Sequence, residues 1–220
     1  MSAQTPTANG ITDTTEPWLL LDETPHYLII SKPTRMLTQP GKEAHKTDSL
    51  ITRVCQEFPE ARIVHRLDWD TSGIMVLART IAAHRALSIA FQERQTEKRY
   101  QALVDACPQP ESGLIDLPIG ADCAHRPRYR IDYEAGRAAQ TRYRVLEHNP
   151  KACRLALCPI TGRSHQLRVH LLAQGRPIQG DTLYHPNAAE HPRLMLHAEH
   201  LAFPDPVTGQ WRAYQCPVPF

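Results

Sequence analysis

Past a polar, Thr-rich stretch over residues 1–16, the chain breaks into short runs whose hydrophobic period predicts their structure. Residues 18–33 read as two short strands around an acidic turn. Asp48 is placed to cap a helix that runs to Phe58 and stops at Pro59. A strand leads into His65, a loop follows, and a second strand covers 73–79. Thr80 caps the next helix, whose stripe Ala83, Leu87, Ala90 and Phe91 follows the helical period. Short strands are then predicted over 99–105, 113–117, 127–133, 139–147 and 153–158. A helix over 164–174, closed by Gly175, and strands near 194–201 and 211–215 complete the chain. Strands outnumber helices and are joined mostly by short turns, which predicts an α+β fold with a largely antiparallel sheet. No internal repeat or linker follows residue 17, so 17–220 is expected to form one catalytic-size domain behind a loose tail.

Composition adds little until the basic residues are split by type. With 41% hydrophobic and 22% charged residues, the 220-residue chain is ordinary for a globular protein and long enough to bury a core. The net charge is only +2, but 20 Arg stand against 5 Lys. Arg offers a planar fork for phosphates and a flat face for stacking, a lean toward nucleic acid or other anionic ligands. The six cysteines form no CxxC pair, the first 17 residues lack the basic start and apolar core of a signal peptide, and no apolar run is long enough to cross a bilayer. The expectation is a cytoplasmic protein with reduced thiols and no membrane association.

Three segments could carry chemistry. HRLDWDTSGIMVLA, from His65 to Ala78, places Asp68 and Asp70 in a turn beside Arg66, where they could equally cap the backbone and pair with a surface Arg. TGRSHQLRVHLLAQG, from Thr161 to Gly175, gathers Arg163, His165, Arg168 and His170 near a helix start, either an anion seat or a solvated helix with an apolar back. On such a helix His165, Arg168 and Leu172 share one face, and Leu167 and Leu171 another. HRPRYRIDYEAGRAAQTRYRV, from His125 to Val145, interleaves six Arg with three Tyr. Strand alternation would line up Arg126, Arg128 and Arg130 as a row able to track phosphates. His165 and His170 have the wrong spacing for two ligands on one helix, and no zinc pattern exists, so no metal is expected. Phosphate-loop, dinucleotide and nucleophile-elbow motifs are missing, so no cofactor is expected either.

HRLDWDTSG resembles the signature of the RluA-type pseudouridine synthases. YLIISKPTRMLTQPG, KRYQALV, ITGRSHQLRVHLLAQGRPIQGDTLY and LMLHAEHL resemble further blocks of that family, in family order, across residues 18 to 215. The resemblance implies a mixed, mainly antiparallel sheet around a central RNA-binding cleft. It implies Asp68 as the catalytic aspartate, Tyr100 as the active-site tyrosine, Arg168 as the partner of Asp68, and Arg66 as the side chain that replaces a flipped base. The expected RNA contacts are Arg66, Arg126, Arg128, Arg130, Arg142, Arg163 and His165. No S4-like domain precedes Trp18, a form similar to family members that act on both 23S rRNA and tRNA anticodon stem-loops. A monomer without an obligate protein partner is the default. Trp69 and Asp70 fill the variable pair of the signature, and a second acid there would raise the proton affinity of Asp68 unless it points away. An inactive RNA-binding module, or a hydrolase using Asp68 and Asp70 as paired carboxylates, is the rival reading.

Overall fold

The computed structural model describes residues 16–43, 46–149 and 152–220. The tail expected over 1–16 therefore lies outside the described residues, apart from Glu16. Twelve strands follow in chain order: β1 (Leu19–Glu23), β2 (Tyr27–Lys32), β3 (Arg62–Ile63), β4 (Ser72–Ala78), β5 (Glu97–Val104), β6 (Ser112–Asp116), β7 (Ile119–Ala121), β8 (Tyr129–Ile131), β9 (Gln140–Asn149), β10 (Ala152–Pro159), β11 (Leu196–Pro204) and β12 (Trp211–Gln215). Three α-helices, α1 (Leu50–Val54), α2 (Ile81–Gln92) and α3 (Gln166–Ala173), and one 3-10 turn (Ala188–Glu190) are set between them. Ten strands make one sheet in the order β1-β2-β4-β11-β5-β10-β9-β6, with β3 added on β4 and β12 on β11. β7 and β8 form a separate hairpin. Every pairing is antiparallel except β11 with β4, so the α+β, mainly antiparallel expectation holds.

That one parallel contact joins the two halves of the sheet. On one side, all seven residues of β4 are buried, and β2 is buried at five of its six positions. Buried on both faces, these strands read as unbroken apolar runs rather than alternating ones. Their core packs against Met36, Leu50 and Val54 below and Ala83 and Leu87 of α2. On the other side, Leu155 and Leu157 of β10 meet Leu167 and Leu171 of α3. At the seam Gly73 pairs with Ala198, and Ala198 pairs with Tyr100. Gly73 has φ +122°, and any Cβ there would collide with the Ala198 backbone. Only glycine fits, and the close approach carries Tyr100 to within two strands of the loop that precedes β4.

Helix ends needed correction. Thr80 caps α2 as expected, its hydroxyl accepting from the Ala83 amide at 3.1 Å. For α1 the cap is Ser49, in a reciprocal box with Thr52, while Asp48 instead clamps Arg53 at 2.9 and 2.7 Å. α1 ends at Val54, and turns carry the chain to Phe58. α3 begins at Gln166, because His165 takes a left-handed conformation at φ 54°. The face expected to hold His165, Arg168 and Leu172 therefore does not form: Arg168 is buried while Leu172 is exposed. β3 stops at Ile63, short of His65, and β8 spans three residues instead of seven.

The thiol expectation is also overturned. Cys107, just past β5, is bonded to Cys153 on β10, with Cα atoms 5.1 Å apart. The two lie 46 positions apart in sequence, and only the β5–β10 register brings them together, setting Cys153 opposite Val104. Cys55, Cys123, Cys158 and Cys216 are free. No helix among the described residues is long and apolar enough to cross a membrane.

Candidate active site

A cleft of about 1260 Å³ opens where the two halves of the sheet meet. Its floor is the loop between β3 and β4, and this loop is fastened from below by residues 32–38. Lys32, wholly buried, donates to the carbonyls of Pro33 and Met36 at 2.8 Å and of Trp69 at 3.2 Å. Burial lowers its pKa to about 7, with Asp70 and Asp68 pulling upward. The Thr34 hydroxyl donates to the Asp70 carbonyl at 2.7 Å, and that of Thr38 to the Leu67 carbonyl at 2.8 Å. A polar loop beneath an open cleft thus has its buried carbonyls satisfied, which is what holds Asp68 in place.

Asp68 lines the cleft, half-buried. Arg168 reaches it from α3 with Nη1, 3.4 Å from Oδ2. The other edge of the same guanidinium is taken by Asp181, fully buried, through Nε and Nη2 at 2.7 Å each. Burial works against the Arg168 charge, but the Asp181 bridge and the Asp181 and Asp68 charges outweigh it and raise its pKa. Arg168 is therefore aimed by Asp181 and offers one remaining N–H pair to Asp68. Gly180, at φ +73°, lets the chain turn so that the Asp181 carboxylate also accepts from the amides of Leu183 and Tyr184 at 3.0 and 3.2 Å.

Tyr100 lines the same cleft from β5, and burial, reinforced by the Asp68 charge, pushes its phenol well above the ordinary value. It stays protonated, a stacking face with a proton donor attached. Asp70 is buried and does not line the cleft; burial raises its carboxyl, and Arg168 pulls it back. A paired-carboxylate hydrolase would need both acids on the cleft, so that rival loses its geometry. His65 stacks on Phe91 with centroids 4.4 Å apart and accepts from the Val76 amide at 3.2 Å. Burial, then the charge of Lys98, lowers its pKa to about 3, so it serves as a neutral prop. Arg66, next to it, is exposed on the cleft.

The expected phosphate-tracking row comes apart. Arg126, Arg128, Arg163 and His165 do line the cleft. Arg130 does not: it faces away and pairs with Asp132 at 3.5 Å. Arg142 lies on β9 between Leu114 of β6 and Cys158 of β10, on the exposed face of the sheet with Arg144. The cause is the shortness of β8: Arg126 and Arg128 sit in the turn before it, so strand alternation never extends across all three residues. His170 is likewise no anion ligand, being buried between the Thr141 hydroxyl at 2.9 Å and the Leu117 carbonyl at 3.0 Å. Arg94 and Lys98, unremarked in the sequence, line the cleft, and Asp181, Tyr184 and Lys32 support it. Among the described residues no three His, Cys, Asp or Glu side chains converge as a metal-binding group.

Arginines line this cleft, and Asp68 in it has the Arg168 guanidinium aimed at it. In comparison with known proteins, the model of the family described as RNA pseudouridylate synthase matches residues 26–173. The chain belongs to that family, whose members are isomerases acting on RNA. It is 46% identical over 209 residues to the dual-specificity RNA pseudouridine synthase RluA of Escherichia coli K12, covering 93% of this chain and 95% of that protein. To the RluA of Pasteurella multocida it is 42% identical, covering 95% and 97%. Among solved structures, human RNA pseudouridylate synthase domain containing 1 superposes with a TM-score of 0.80 at 28% identity, covering 94% of this chain and 86% of that one. Human RNA pseudouridylate synthase domain containing 4 gives 0.73 at 25% identity, covering 91% and 88%.

Proposed function

We propose that this cleft converts uridine to pseudouridine in stem-loops of both 23S rRNA and tRNA, with Asp68, Tyr100 and Arg168 as its working residues. The reading of both RNA classes leans on the relatives named for dual specificity. The reaction breaks the bond from uracil N1 to the ribose C1′, turns the base, and rejoins it through C5. The C5 proton leaves and N1 gains one, so atoms and electrons balance without a cofactor. Among the described residues Asp68 is the one carboxylate on the cleft with an arginine aimed at it, and that geometry carries the assignment. A carboxylate so held can attack the nucleotide or stabilise a cationic sugar. Tyr100 supplies a face for the base and a group that relays the C5 proton. The target base must leave its stack, and Arg66 is the flat, charged side chain at the cleft able to fill the gap. Arg126, Arg128 and Arg163 hold the surrounding backbone, and His165 adds a further RNA contact from the same wall of the cleft.

Residues 17–220 act as the catalytic unit, as a monomer in the cytoplasm where these RNAs are made. The test uses tRNA and rRNA hairpin transcripts tritiated at uracil C5, beside the intact RNAs. The parent should release tritium from both hairpins with no change in RNA mass, while Asp68→Asn binds within a few-fold and releases none. Turnover by Asp68→Asn would remove Asp68 from the mechanism, and inert hairpins beside reactive intact RNA would overturn local recognition of two substrates.

A further inference from the structure

Tyr184 takes no part in the chemistry described so far, yet it is buried at the centre of the contacts around the site. Its hydroxyl oxygen accepts from the Tyr129 amide at 2.8 Å and lies 2.8 Å from Nδ1 of His165. Its ring carries the guanidinium groups of Arg168 at 5.1 Å and Arg128 at 5.3 Å. His165 lines the cleft with Asp68 and Tyr100, and it does so in a left-handed conformation, φ 54°, that a non-glycine residue keeps only when its surroundings enforce it. Tyr129 packs edge-on against the imidazole at 5.1 Å and Tyr184 at 5.7 Å.

The protons can be assigned. Burial pushes the Tyr184 phenol up to about 12, so it keeps its hydrogen. Burial also holds the His165 imidazole below its ordinary value against the pull of Asp68, so the ring is neutral. The Tyr129 amide is only a donor, and it occupies one lone pair of the hydroxyl oxygen. With the amide on one lone pair, the phenol hydrogen has Nδ1 of His165 as an acceptor 2.8 Å away, and a neutral imidazole that accepts there carries its own hydrogen on Nε2.

We propose that His165 contacts the substrate, its Nε2–H donating to a carbonyl oxygen of the uracil held beside Asp68, and that Tyr184 is the positioning residue that fixes this tautomer. The inference rests on the isomerase reading of the cleft. It gives the left-handed residue before α3 a purpose: a fixed donor facing a base whose edge offers carbonyl acceptors.

The test has two arms. In the full-length protein labelled with ¹⁵N-histidine, NMR should show His165 as the Nε2–H tautomer. In Tyr184→Phe, which keeps the ring under Arg168 and Arg128, that signature should be lost. Single-turnover tritium release from a tRNA transcript labelled at uracil C5 should fall about tenfold or more in Tyr184→Phe. In a His165→Ala background the same change should have almost no further effect, because its target is gone. An Nδ1–H tautomer in the parent, a Tyr184→Phe rate within twofold of the parent, or full additivity of the two substitutions would each overturn the proposal. The parent tautomer is read without any variant, so a Tyr184→Phe protein that fails to fold leaves the question decidable. If the parent releases no tritium from any RNA, the isomerase reading fails, and with it the uracil contact, while the NMR still decides the Tyr184–His165 bond.

Discussion

Arg168 serves two carboxylates at once, and its substitutions separate aim from charge. Lysine keeps the charge but has no planar fork to span Asp181 and Asp68 together. Arg168→Lys should lower the single-turnover rate by about a hundredfold or more, since a carboxylate off line by an ångström loses that much. Asp181→Asn leaves the buried guanidinium without its charged partner and should cost about 3–5 kcal/mol of stability in urea unfolding, with a rate loss beside it. If Asp181→Asn unfolds and turns over like the parent, Arg168 is held by something other than the bridge. Lys32 follows the same logic, holding the Asp68 loop through the Trp69 carbonyl and the turn beneath it through those of Pro33 and Met36.

Among the elements, the turn before β8 carries Arg126 and Arg128 on the cleft, whereas β9 turns Arg142 to the exposed sheet face. Filter binding to tRNA between 50 and 200 mM salt should register the difference. Arg126→Ala and Arg128→Ala should each reduce the slope of log affinity against log salt by about 1, with Arg142→Ala leaving it unchanged. A slope that drops for Arg142→Ala would place RNA on the far face of the sheet. The Cys107–Cys153 bridge ties the end of β5 to β10, and neither cysteine lines the cleft. It closes a loop of 46 residues, so its loss should lower unfolding free energy by up to about 4 kcal/mol in the chain-entropy account. Reduction is expected to lower Tm and spare the rate. A rate that falls in step with reduction, at a temperature where the protein stays folded, would tie the bridge to the site.

For the whole molecule, buried imidazoles set the acid limit of stability. Burial, chiefly, brings His65 to about 3 and His197 to about 4. Below about pH 6.5 the unfolded chain binds protons at these positions that the fold refuses, so stability falls as pH drops through the window from 6.5 toward 4. The expected loss between pH 7 and 4.5 is about 5 kcal/mol, or roughly 15 °C in Tm for a chain of this size, read by circular dichroism melts. His65→Gln keeps an acceptor for the Val76 amide without a titrating ring and should flatten part of that slope. An unchanged slope in His65→Gln would mean that His65 charges within the fold.

What the sequence determined by itself was local or short in reach. Periods of two and 3.6, and the unbroken apolar runs of β2 and β4, placed nearly every strand and helix to within a few residues, because burial of one face or of both is written into each segment as it stands. The Asp68 loop, Tyr100, Arg168 and the cleft arginines Arg126, Arg128 and Arg163 were legible from their motifs. The tertiary structure decided the rest, since each remaining feature depends on residues far apart in the chain. Strand register, not spacing, joined Cys107 to Cys153 and set Tyr100 beside the Asp68 loop. A three-residue β8 broke the arginine row and sent Arg130 and Arg142 elsewhere. A left-handed turn at Gly180 carried Asp181 and Tyr184 back against α3, where a buried guanidinium needed a charged partner and a histidine needed its tautomer fixed. Periodicity records which face of a segment is buried; it holds no record of which distant polar group will satisfy another once water is excluded.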